Sequence, residues 1–331
     1  MLKKRIPNIA ISIGDFNGIG PEIILKSLSE IDLKKSIPVI IAPKTIIEYY
    51  CELFSPQPEF HFITDPENKK EGKVNVLHLK DDQLKITPGI QSAESGKAAM
   101  LSIEKSIDLC LMKRADAMVT APISKEAVNL AGYDIPGHTE FLAAQTNAEH
   151  VLMMLVNDNL RVALVTAHVP IKEVADHISA NLIKTKVQIL ADSLRNDFGI
   201  ERPKIAVLGL NPHAGDGGVI GMEEIEIIDP VIKEIRGTQN QFAIHGPFPA
   251  DGFFGRKLHT KHDAILAMYH DQGLAPFKLL SFGKGVNFTA GLPIIRTSPD
   301  HGTAFDIAGK GIADPSSFKE AYNLAVKLAK K

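Results

Sequence analysis

The sequence predicts an α/β fold with a largely parallel sheet, and two observations carry this prediction. Short β-branched and apolar runs alternate along the chain with longer segments whose apolar residues recur at helical spacing, the pattern of strands joined by crossover helices. The chain has 331 residues, of which 44% are hydrophobic and 23% charged. This is ordinary globular composition with enough length for about two domains. Because no Gly/Ser linker or repeat interrupts the pattern, we expect two lobes that share one continuous sheet.

The first third of the chain supplies the clearest elements. Residues 9–13 are predicted to form a strand that leads through a glycine-rich turn into a helix beginning near Pro21, since proline favours the first helical turn. Residues 38–42 and 116–120 are predicted to be further strands. Between them, residues 96–114 carry apolar side chains at helical spacing and end in basic residues, which favour a helix C-terminus.

The remainder of the chain continues the alternation. A helix is predicted over residues 181–198 with Asn181 as its N-cap, and a final helix begins at Ser316-Ser317. Residues 52–72 are polar and contain proline, so we expect a surface excursion there. Three apolar runs bounded by polar loops are predicted to be buried strands: residues 161–166, 204–210 and 264–269.

Composition excludes several classes of function. The formal net charge is −2, tryptophan is absent and aromatic residues make up 6%, so nothing indicates a nucleic-acid partner or an anionic membrane surface. Cys51 and Cys110 are the only cysteines, which provides no disulfide framework and fits a reducing compartment. No apolar run approaches the roughly 20 residues that span a bilayer. We therefore expect a cytoplasmic protein.

Three histidines occupy equivalent places in the predicted sheet. His168, His213 and His270 each follow the end of one of the three apolar runs in the second half of the chain. Ligands of open α/β sheets bind at the carboxyl ends of the strands. Three neutral imidazoles meeting there could bind a divalent metal and leave an open position for substrate. The sequence therefore predicts a metal site that activates a substrate oxygen.

The alternative for any single histidine is a solvated or structural role, and it is the placement of all three together that favours a metal. Asp251 and Asp271 are candidates either for hydrogen bonding to metal-bound imidazoles and proton transfer or for capping loops. Six further histidines lack the strand-end placement and are expected to be structural or solvated: His61, His78, His150, His177, His259 and His262.

Several residues could bind an anion. Thr139 opens a helical stretch, where it could be the N-cap or could bind phosphate or carboxylate at the helix N-terminus. Lys278, Asn287 and Arg296 lie among Gly and Pro turns in the last third of the chain, positions that suit an anionic substrate or an exposed, solvated charge. Neither the dinucleotide fingerprint GxGxxG nor a phosphate-binding GxxxxGK[ST] loop is present.

Five segments of the chain carry recognisable motifs: residues 14–22, 137–141, 211–215, 246–251 and 268–273. In these segments the chain resembles the 4-hydroxythreonine-4-phosphate dehydrogenase family of pyridoxal phosphate biosynthesis, and the resemblance runs nearly end to end. The tail 300–311 also resembles the adenine-side loop of the wider isocitrate/isopropylmalate dehydrogenase fold.

The resemblance implies a two-lobed α/β/α subunit of isocitrate/isopropylmalate dehydrogenase-like fold, an obligate homodimer, and an active site in the interlobe cleft at the dimer interface. The lobes would be 1–136 with 271–331 on the cofactor side, and 137–270 on the metal and dimer side. His168, His213 and His270 would hold one divalent ion (Zn, Mg, Co or Mn), one of them reaching in from the partner. The substrate contacts implied are His138, Thr139, Lys278, Asn287 and Arg296, and the NAD or NADP contacts are His301, Gly302, Thr303, Ala304 and Asp306.

The reaction implied is oxidative decarboxylation of 4-phosphooxy-L-threonine to 3-amino-2-oxopropyl phosphate. The proton acceptor stays open between His138, Lys278 and Asp251. A related dehydrogenase of 4-phospho-threonate or 4-phospho-erythronate would use the same groups. More remote alternatives are a metal-dependent phosphoester hydrolase and a non-catalytic binding protein of the same fold.

The chain departs from the family pattern at a few positions. Phe16-Asn17 replaces the usual Pro-Ala after Gly-Asp, Gly252 stands where Thr is common, and Asp216 replaces a usual Glu. None of these changes removes a proposed metal ligand. We expect them to alter local loop shape.

Overall fold

The computed structural model describes residues 5–55, 57–80, 84–135, 137–158, 160–238 and 240–330. The chain forms two compact units, the first made of Met1–Glu149 with Leu292–Lys331 and the second of His150–Gly291. The strands are β1 (Asn8–Ser12), β2 (Ile37–Ala42), β3 (Phe60–Ile63), β4 (Val74–His78), β5 (Ala117–Thr120), β6 (Leu152–Asn157), β7 (Leu160–Leu164), β8 (Lys204–Leu208), β9 (Ala243–Phe248), β10 (Ala264–Ala267), β11 (Val286–Ala290) and β12 (Arg296–Pro299).

The helices alternate with these strands as the sequence predicts. They are α1 (Gly20–Glu30), α2 (Lys44–Leu53), α3 (Ala93–Leu111), α4 (Lys125–Leu130), α5 (His138–Gln145), α6 (Val174–His177), α7 (Ala180–Asn196), α8 (Asp229–Thr238), α9 (Ala250–Gly255), α10 (His270–Ser281) and α11 (Ser316–Leu328). The prediction of an α/β protein is therefore confirmed.

The first unit is built on parallel strands in the order β3-β4-β2-β1-β5-β12. The predicted strands 9–13, 38–42 and 116–120 correspond to β1, β2 and β5 within one residue at either end. Apolar residues of α3, among them Met100 and Ile103, pack with side chains of β2 in a fully buried cluster. Burial on this scale is the main source of stability for the unit.

The second unit has the strand order β11-β6-β7-β10-β8-β9. Strands β7, β10, β8 and β9 are parallel, whereas β6 runs antiparallel to both β7 and β11. The predicted runs 161–166, 204–210 and 264–269 become β7, β8 and β10, and each strand ends two residues earlier than predicted. The largely parallel sheet is thus confirmed in both units.

The predicted N-cap Asn181 is wrong, and of the two roles open to Thr139 the N-cap is excluded. Helix α7 begins at Ala180, and its N-cap is Ser179, whose hydroxyl accepts the amide of Leu182; Asn181 lies inside the first turn. Helix α5 begins at His138 with Gly137 as its N-cap, so Thr139 is also inside its first turn. In both cases a good capping residue stands close to the true cap, and sequence alone does not decide between them.

The segment 52–72, predicted to be a surface excursion, contributes a strand to the sheet. It contains β3, which pairs in parallel with β4 at the edge of the first unit's sheet. The side chain of Phe62 is 38% exposed there. Strand β3 is only four residues long, so its short apolar run is outweighed in the sequence by the polar residues on either side.

The unit boundaries differ from the predicted lobes 1–136 with 271–331 and 137–270. Helix α5 joins the first unit because its Phe141 and Leu142 belong to the same buried cluster as α3. Helix α10 joins the second unit because Leu274 and Phe277 pack with side chains of β7 and β10. Residue 136, the predicted crossing point, lies outside the described residues.

No helix within the described ranges combines the length and the apolar character that a membrane span requires.

Candidate active site

The three predicted metal ligands all follow strand ends at one edge of the second unit's sheet. Strand β10 lies between β7 and β8, all three run parallel, and Ala267 is paired with Leu164. His168, His213 and His270 each come a few residues after the carboxyl end of one of these strands. The edge predicted from the sequence is therefore the edge at which these residues lie.

His168 and His270 lie next to each other. Their ring centroids are 6.1 Å apart. Two imidazoles that bind one ion through nitrogen at about 2.1 Å in tetrahedral geometry have centroids about 5 Å apart. Thr166 connects the two loops, since its backbone amide and its hydroxyl both donate to the carbonyl of Met268. The observed separation of the ring centroids is thus about 1 Å longer than that of two imidazoles on one ion.

Asp271 fixes the tautomer of His270. Nδ1 of His270 lies 2.7 Å from a carboxylate oxygen of Asp271. Because a carboxylate can only accept, Nδ1–H donates and Nε2 keeps its lone pair for a metal. Asp251 is exposed in the first turn of α9. The residues present thus fit a divalent metal: the donors are imidazole nitrogens, and one of them already has the hydrogen bond that metal-bound histidines make.

His213 lies in the turn that follows β8. In the part of the chain that the structure describes, no three His, Cys, Asp or Glu side chains form a complete metal cluster. Residues 213–217 all have positive φ, including the non-glycine residues His213, Ala214 and Asp216. Such a left-handed turn costs of order 1–2 kcal/mol per non-glycine residue and is typical of functional segments.

Glu224 holds the base of this turn, a role that the sequence analysis missed. It is 3% exposed. One carboxylate oxygen accepts the amides of Leu210 and Asn211 at 2.7 and 2.8 Å, and the other accepts the side-chain amide of Asn211 at 2.9 Å. A Cβ at Gly215 would lie 2.8 Å from the Glu224 carboxylate. The close approach therefore requires glycine at position 215.

Gln272, also missed, connects two of the histidine loops. Its Nε2 donates to the carbonyl of Gly209 at 2.6 Å, and its Oε1 accepts the amide of Met268 at 2.7 Å. The ends of β8 and β10 are thereby joined by one side chain. The sequence alone does not reveal this role of Gln272, because the role depends on β8 and β10 being neighbouring strands.

The first unit carries a second group of predicted site residues. Arg296, 2% exposed at the start of β12, donates from Nε and Nη2 to the hydroxyl of Thr120 at 3.1 and 2.7 Å. The same Nη2 lies 3.4 Å from Nδ1 of His138, the first residue of α5. His138 Nε2 is buried and has no hydrogen-bond partner among the described residues. Burial, and secondarily the positive charge of Arg296, hold the pKa of His138 well below its usual range.

The other predicted substrate residues are less constrained. Asn287 lies on β11 opposite Leu155, and its Oδ1 is a buried acceptor for which the described residues offer no donor. Lys278 is exposed in the last turn of α10. Thr139 is partly exposed beside His138. Asn287 and His138 thus share one property: each presents a buried polar atom that remains to be satisfied.

The predicted cofactor loop packs against the glycine-rich turn after β1. The amide of Ile19 donates to the carbonyl of Thr303 at 2.9 Å, and a Cβ at Gly18 would lie 2.9 Å from that oxygen. Ala304 has a positive φ of 42° and begins a tight turn, while Gly302 and Asp306 are exposed. Nε2 of His301 is buried and has no described partner. These open backbone positions and the unsatisfied imidazole nitrogen fit a nucleotide cofactor.

An ion pair between a buried glutamate and a partly exposed lysine holds the end of this loop. Glu22 is fully buried, and its Oε1 accepts from Lys26 Nζ at 2.7 Å and from the amide of Ala313 at 2.8 Å. Lys26 also donates to the carbonyls of Gly311 and Ala313 at 2.8 and 3.0 Å. The tail of the chain is therefore held by the first helix.

Asp15 and Asn17 are further buried polar residues of the turn. Asp15 is fully buried with one unpartnered carboxylate oxygen, and burial raises the pKa of its carboxyl. Asn17, at a position where the resemblance leads us to expect alanine, accepts the amide of Thr87 with its side-chain oxygen and that of Gly89 with its carbonyl. This departure from the family pattern thus ties the turn to the segment before α3.

Comparison with known proteins shows the family to which the chain belongs. The family model described as pyridoxal phosphate biosynthetic protein PdxA matches residues 34–325. The 4-hydroxythreonine-4-phosphate dehydrogenase of Prosthecochloris aestuarii is 46% identical over 329 residues, covering 97% of this chain and 96% of the relative.

Solved structures agree with the family model. That of 4-hydroxythreonine-4-phosphate dehydrogenase from Klebsiella pneumoniae matches with a TM-score of 0.89 at 38% identity, covering 98% of this chain and 99% of that one. The terephthalate 1,2-cis-dihydrodiol dehydrogenase of Burkholderia xenovorans matches with a TM-score of 0.67 at 27% identity, covering 97% and 98%. The chain described here belongs to the PdxA family of pyridoxal phosphate biosynthetic proteins.

Proposed function

We propose that this protein is an oxidoreductase that converts 4-phosphooxy-L-threonine, by NAD(P)-dependent and divalent-metal-dependent oxidative decarboxylation, to 3-amino-2-oxopropyl phosphate and CO2. The observation that carries the proposal is the imidazole pair of His168 and His270, oriented by Asp271, in a chain of the PdxA family. The hydroxyl that is oxidised lies β to the carboxylate, so its oxidation yields a β-keto acid that readily loses CO2.

His168, His213 and His270 would hold the metal. When bound, a Zn, Mg, Co or Mn ion supplies Lewis acidity toward the substrate hydroxyl and the carbonyl that replaces it. Asp271 keeps Nε2 of His270 available, and Glu224 keeps the turn that bears His213 in its left-handed form. The carboxylates of Asp271 and Glu224 would thus position two of the proposed metal ligands.

Basic and polar residues would bind the substrate anions. Arg296 and Lys278 suit its phosphate and carboxylate, with His138, Thr139 and Asn287 supplying hydrogen bonds. The buried, unsatisfied atoms of His138 and Asn287 support these roles, since a bound ligand would complete their hydrogen bonds. His138, Lys278 and Asp251 are the candidates for the proton acceptor.

The loop that contains His301, Gly302, Thr303, Ala304 and Asp306 would bind the nicotinamide cofactor. When bound, NAD or NADP accepts the hydride from the substrate carbon. The contact of Thr303 with Ile19 and the ion pair of Glu22 with Lys26 hold this loop against the glycine-rich turn. The backbone of this loop is therefore already in place before the cofactor binds.

We also propose that the protein is a homodimer. Directly after the left-handed turn, Val219 is 83% exposed and Ile220, Met222 and Ile225 are 44–47% exposed. A contiguous apolar patch of this kind is typical of an interface. Since it adjoins His213, a second copy seated there would bring its own surface close to the proposed metal ligand.

The experiment is an assay of NAD reduction with 4-phosphooxy-L-threonine, with and without a metal chelator. We expect NADH to form, to cease on chelation, and to be restored by a divalent ion. His213→Ala should abolish the metal-dependent rate while far-ultraviolet circular dichroism stays unchanged. Full activity of that variant would remove His213 from the metal site, and phosphate release without NAD would indicate a hydrolase.

A second candidate is a dehydrogenase of 4-phospho-threonate or 4-phospho-erythronate. It is favoured by the structural match to a dehydrogenase named for a quite different substrate, terephthalate 1,2-cis-dihydrodiol, which indicates that this fold serves several hydroxylated acids. Side-by-side values of kcat/KM for the amino and hydroxy substrates distinguish the two. Binding of either ligand without NADH formation would instead indicate a non-catalytic protein.

A further inference from the structure

The contact between Arg296 and His138 determines which nitrogen of the imidazole carries the proton. A guanidinium has only donors, so the hydrogen bond from Arg296 Nη2 requires a lone pair on Nδ1 of His138. An imidazole with a bare Nδ1 is neutral and carries its proton on Nε2. This assignment follows from the chemistry of the two groups and needs no hydrogen position.

Thr120 makes the arrangement rigid. Its hydroxyl accepts from both Nε and Nη2 of Arg296, which fixes the plane of the guanidinium and the direction of the remaining Nη2–H. Strand β12 pairs with β5, so Arg296 and Thr120 are carried by neighbouring strands. The Nη2–H group that faces His138 is therefore held in place by two neighbouring strands of the sheet.

Other surroundings favour the same form. His138 is the first residue of α5, and the amide dipoles at a helix N-terminus disfavour a cation there. Among charged groups, Arg296 approaches from β12, and Glu140 on α5 itself lies over Gly137. Burial and Arg296 lower the pKa of His138, in agreement with a neutral ring.

The Nε2–H group of His138 finds no acceptor in the described part of the chain. Nε2 is buried and has no hydrogen-bond partner among the described residues. A buried donor without an acceptor is costly and rare. A ligand oxygen is the partner that would satisfy it.

We propose that His138 is a neutral hydrogen-bond donor, through Nε2–H, to an anionic or carbonyl oxygen of the bound substrate, and that Arg296 sets this tautomer. The inference rests on the proposed function for the identity of the substrate but not for the state of the imidazole. A ring whose Nε2 already bears hydrogen and whose Nδ1 faces a guanidinium cannot accept a further proton. The proton of the substrate hydroxyl therefore goes to another group, which leaves Lys278 and Asp251.

The first test reads the tautomer directly, without substrate. Nitrogen-15 spectra of the histidine-labelled full-length protein are recorded from about pH 5.5 to 8, near the ordinary histidine pKa, and the His138 signals are identified by their loss in His138→Gln. We expect an unprotonated Nδ1 and a protonated Nε2 throughout this range. A protonated Nδ1, or titration near the ordinary histidine pKa, would overturn the proposal.

The second test uses three substitutions and the NAD reduction assay. The side-chain amide of glutamine can place a donor near the position of Nε2, whereas asparagine and alanine cannot. We expect His138→Gln to keep kcat/KM within about 10-fold and the other two to lose on the order of 10- to 100-fold, the effect of one hydrogen bond to a charged oxygen. Equal losses in all three would contradict the donor role. A wild-type protein that forms no NADH would refute the proposed function and leave the spectroscopic result intact.

Discussion

Replacing Glu224 by glutamine tests the support of the left-handed turn. The carboxylate makes two charge-assisted bonds to the amides of Leu210 and Asn211 and one to the side chain of Asn211. Each backbone bond becomes a neutral one, at about 1 kcal/mol apiece, and the new NH2 group faces the donor of Asn211, at about 1 kcal/mol more. Burying a neutral amide is less costly than burying a charge, which offsets part of this.

We therefore expect Glu224→Gln to lower the free energy of unfolding by about 2 kcal/mol, measured by urea denaturation at pH 7. The matched control is Glu223→Gln. Its carboxylate is partly exposed and, among the described residues, bonds only to the Asn211 side chain, so a change below about 1 kcal/mol is expected. Equal stabilities of the two variants would refute the role assigned to Glu224.

Three further changes test other parts of the structure. Lys26→Met leaves the buried carboxylate of Glu22 uncompensated and should destabilise the protein by about 3 kcal/mol in urea denaturation, with partial recovery on adding Glu22→Gln and little effect if the pair is unimportant. Gly96→Ala drives a Cβ into the backbone of α4 and should lower the free energy of unfolding by about 3 kcal/mol. The matched control is Gly237→Ala in α8, where the Cβ meets open space and should stabilise the protein by up to about 1 kcal/mol. Similar melting temperatures of the two variants would contradict this. Burial raises the folded-state pKa of Asp15 above its ordinary value of 3.8. The wild-type protein should therefore lose stability relative to Asp15→Asn as pH rises from about 4 through the folded-state pKa. A stability difference between the two proteins that does not change with pH would contradict this prediction.

The strands and the strand-end histidines could be predicted because they depend on local pattern. An apolar run such as residues 264–269 identifies a buried strand. The residue that follows the run then lies at the carboxyl-end edge of the sheet. Strand β12 is polar, and the apolar run of the edge strand β3 is only four residues long. Their pairing comes from neighbours distant in sequence.

The supporting residues could not be predicted for a related reason. Glu224 and Gln272 act by accepting or donating to particular backbone groups, and nothing in their own sequence surroundings indicates which groups those are. The same holds for the tautomer of His138, which depends on Arg296 more than 150 residues away. Motifs locate the candidate ligands, and the fold decides how each one is held.

X-ray absorption at the cobalt edge tests the central claim most directly, because it counts imidazoles around an ion bound to the whole protein. With one equivalent of Co²⁺ we expect a shell with at least two imidazole nitrogens at about 2.1 Å, one fewer in His270→Ala, and no change in His177→Ala, whose exposed ring bonds to the carbonyl of Glu173. A shell of oxygen atoms alone, or the same shell in His270→Ala as in the wild-type protein, would contradict the assignment of His168 and His270 to one metal.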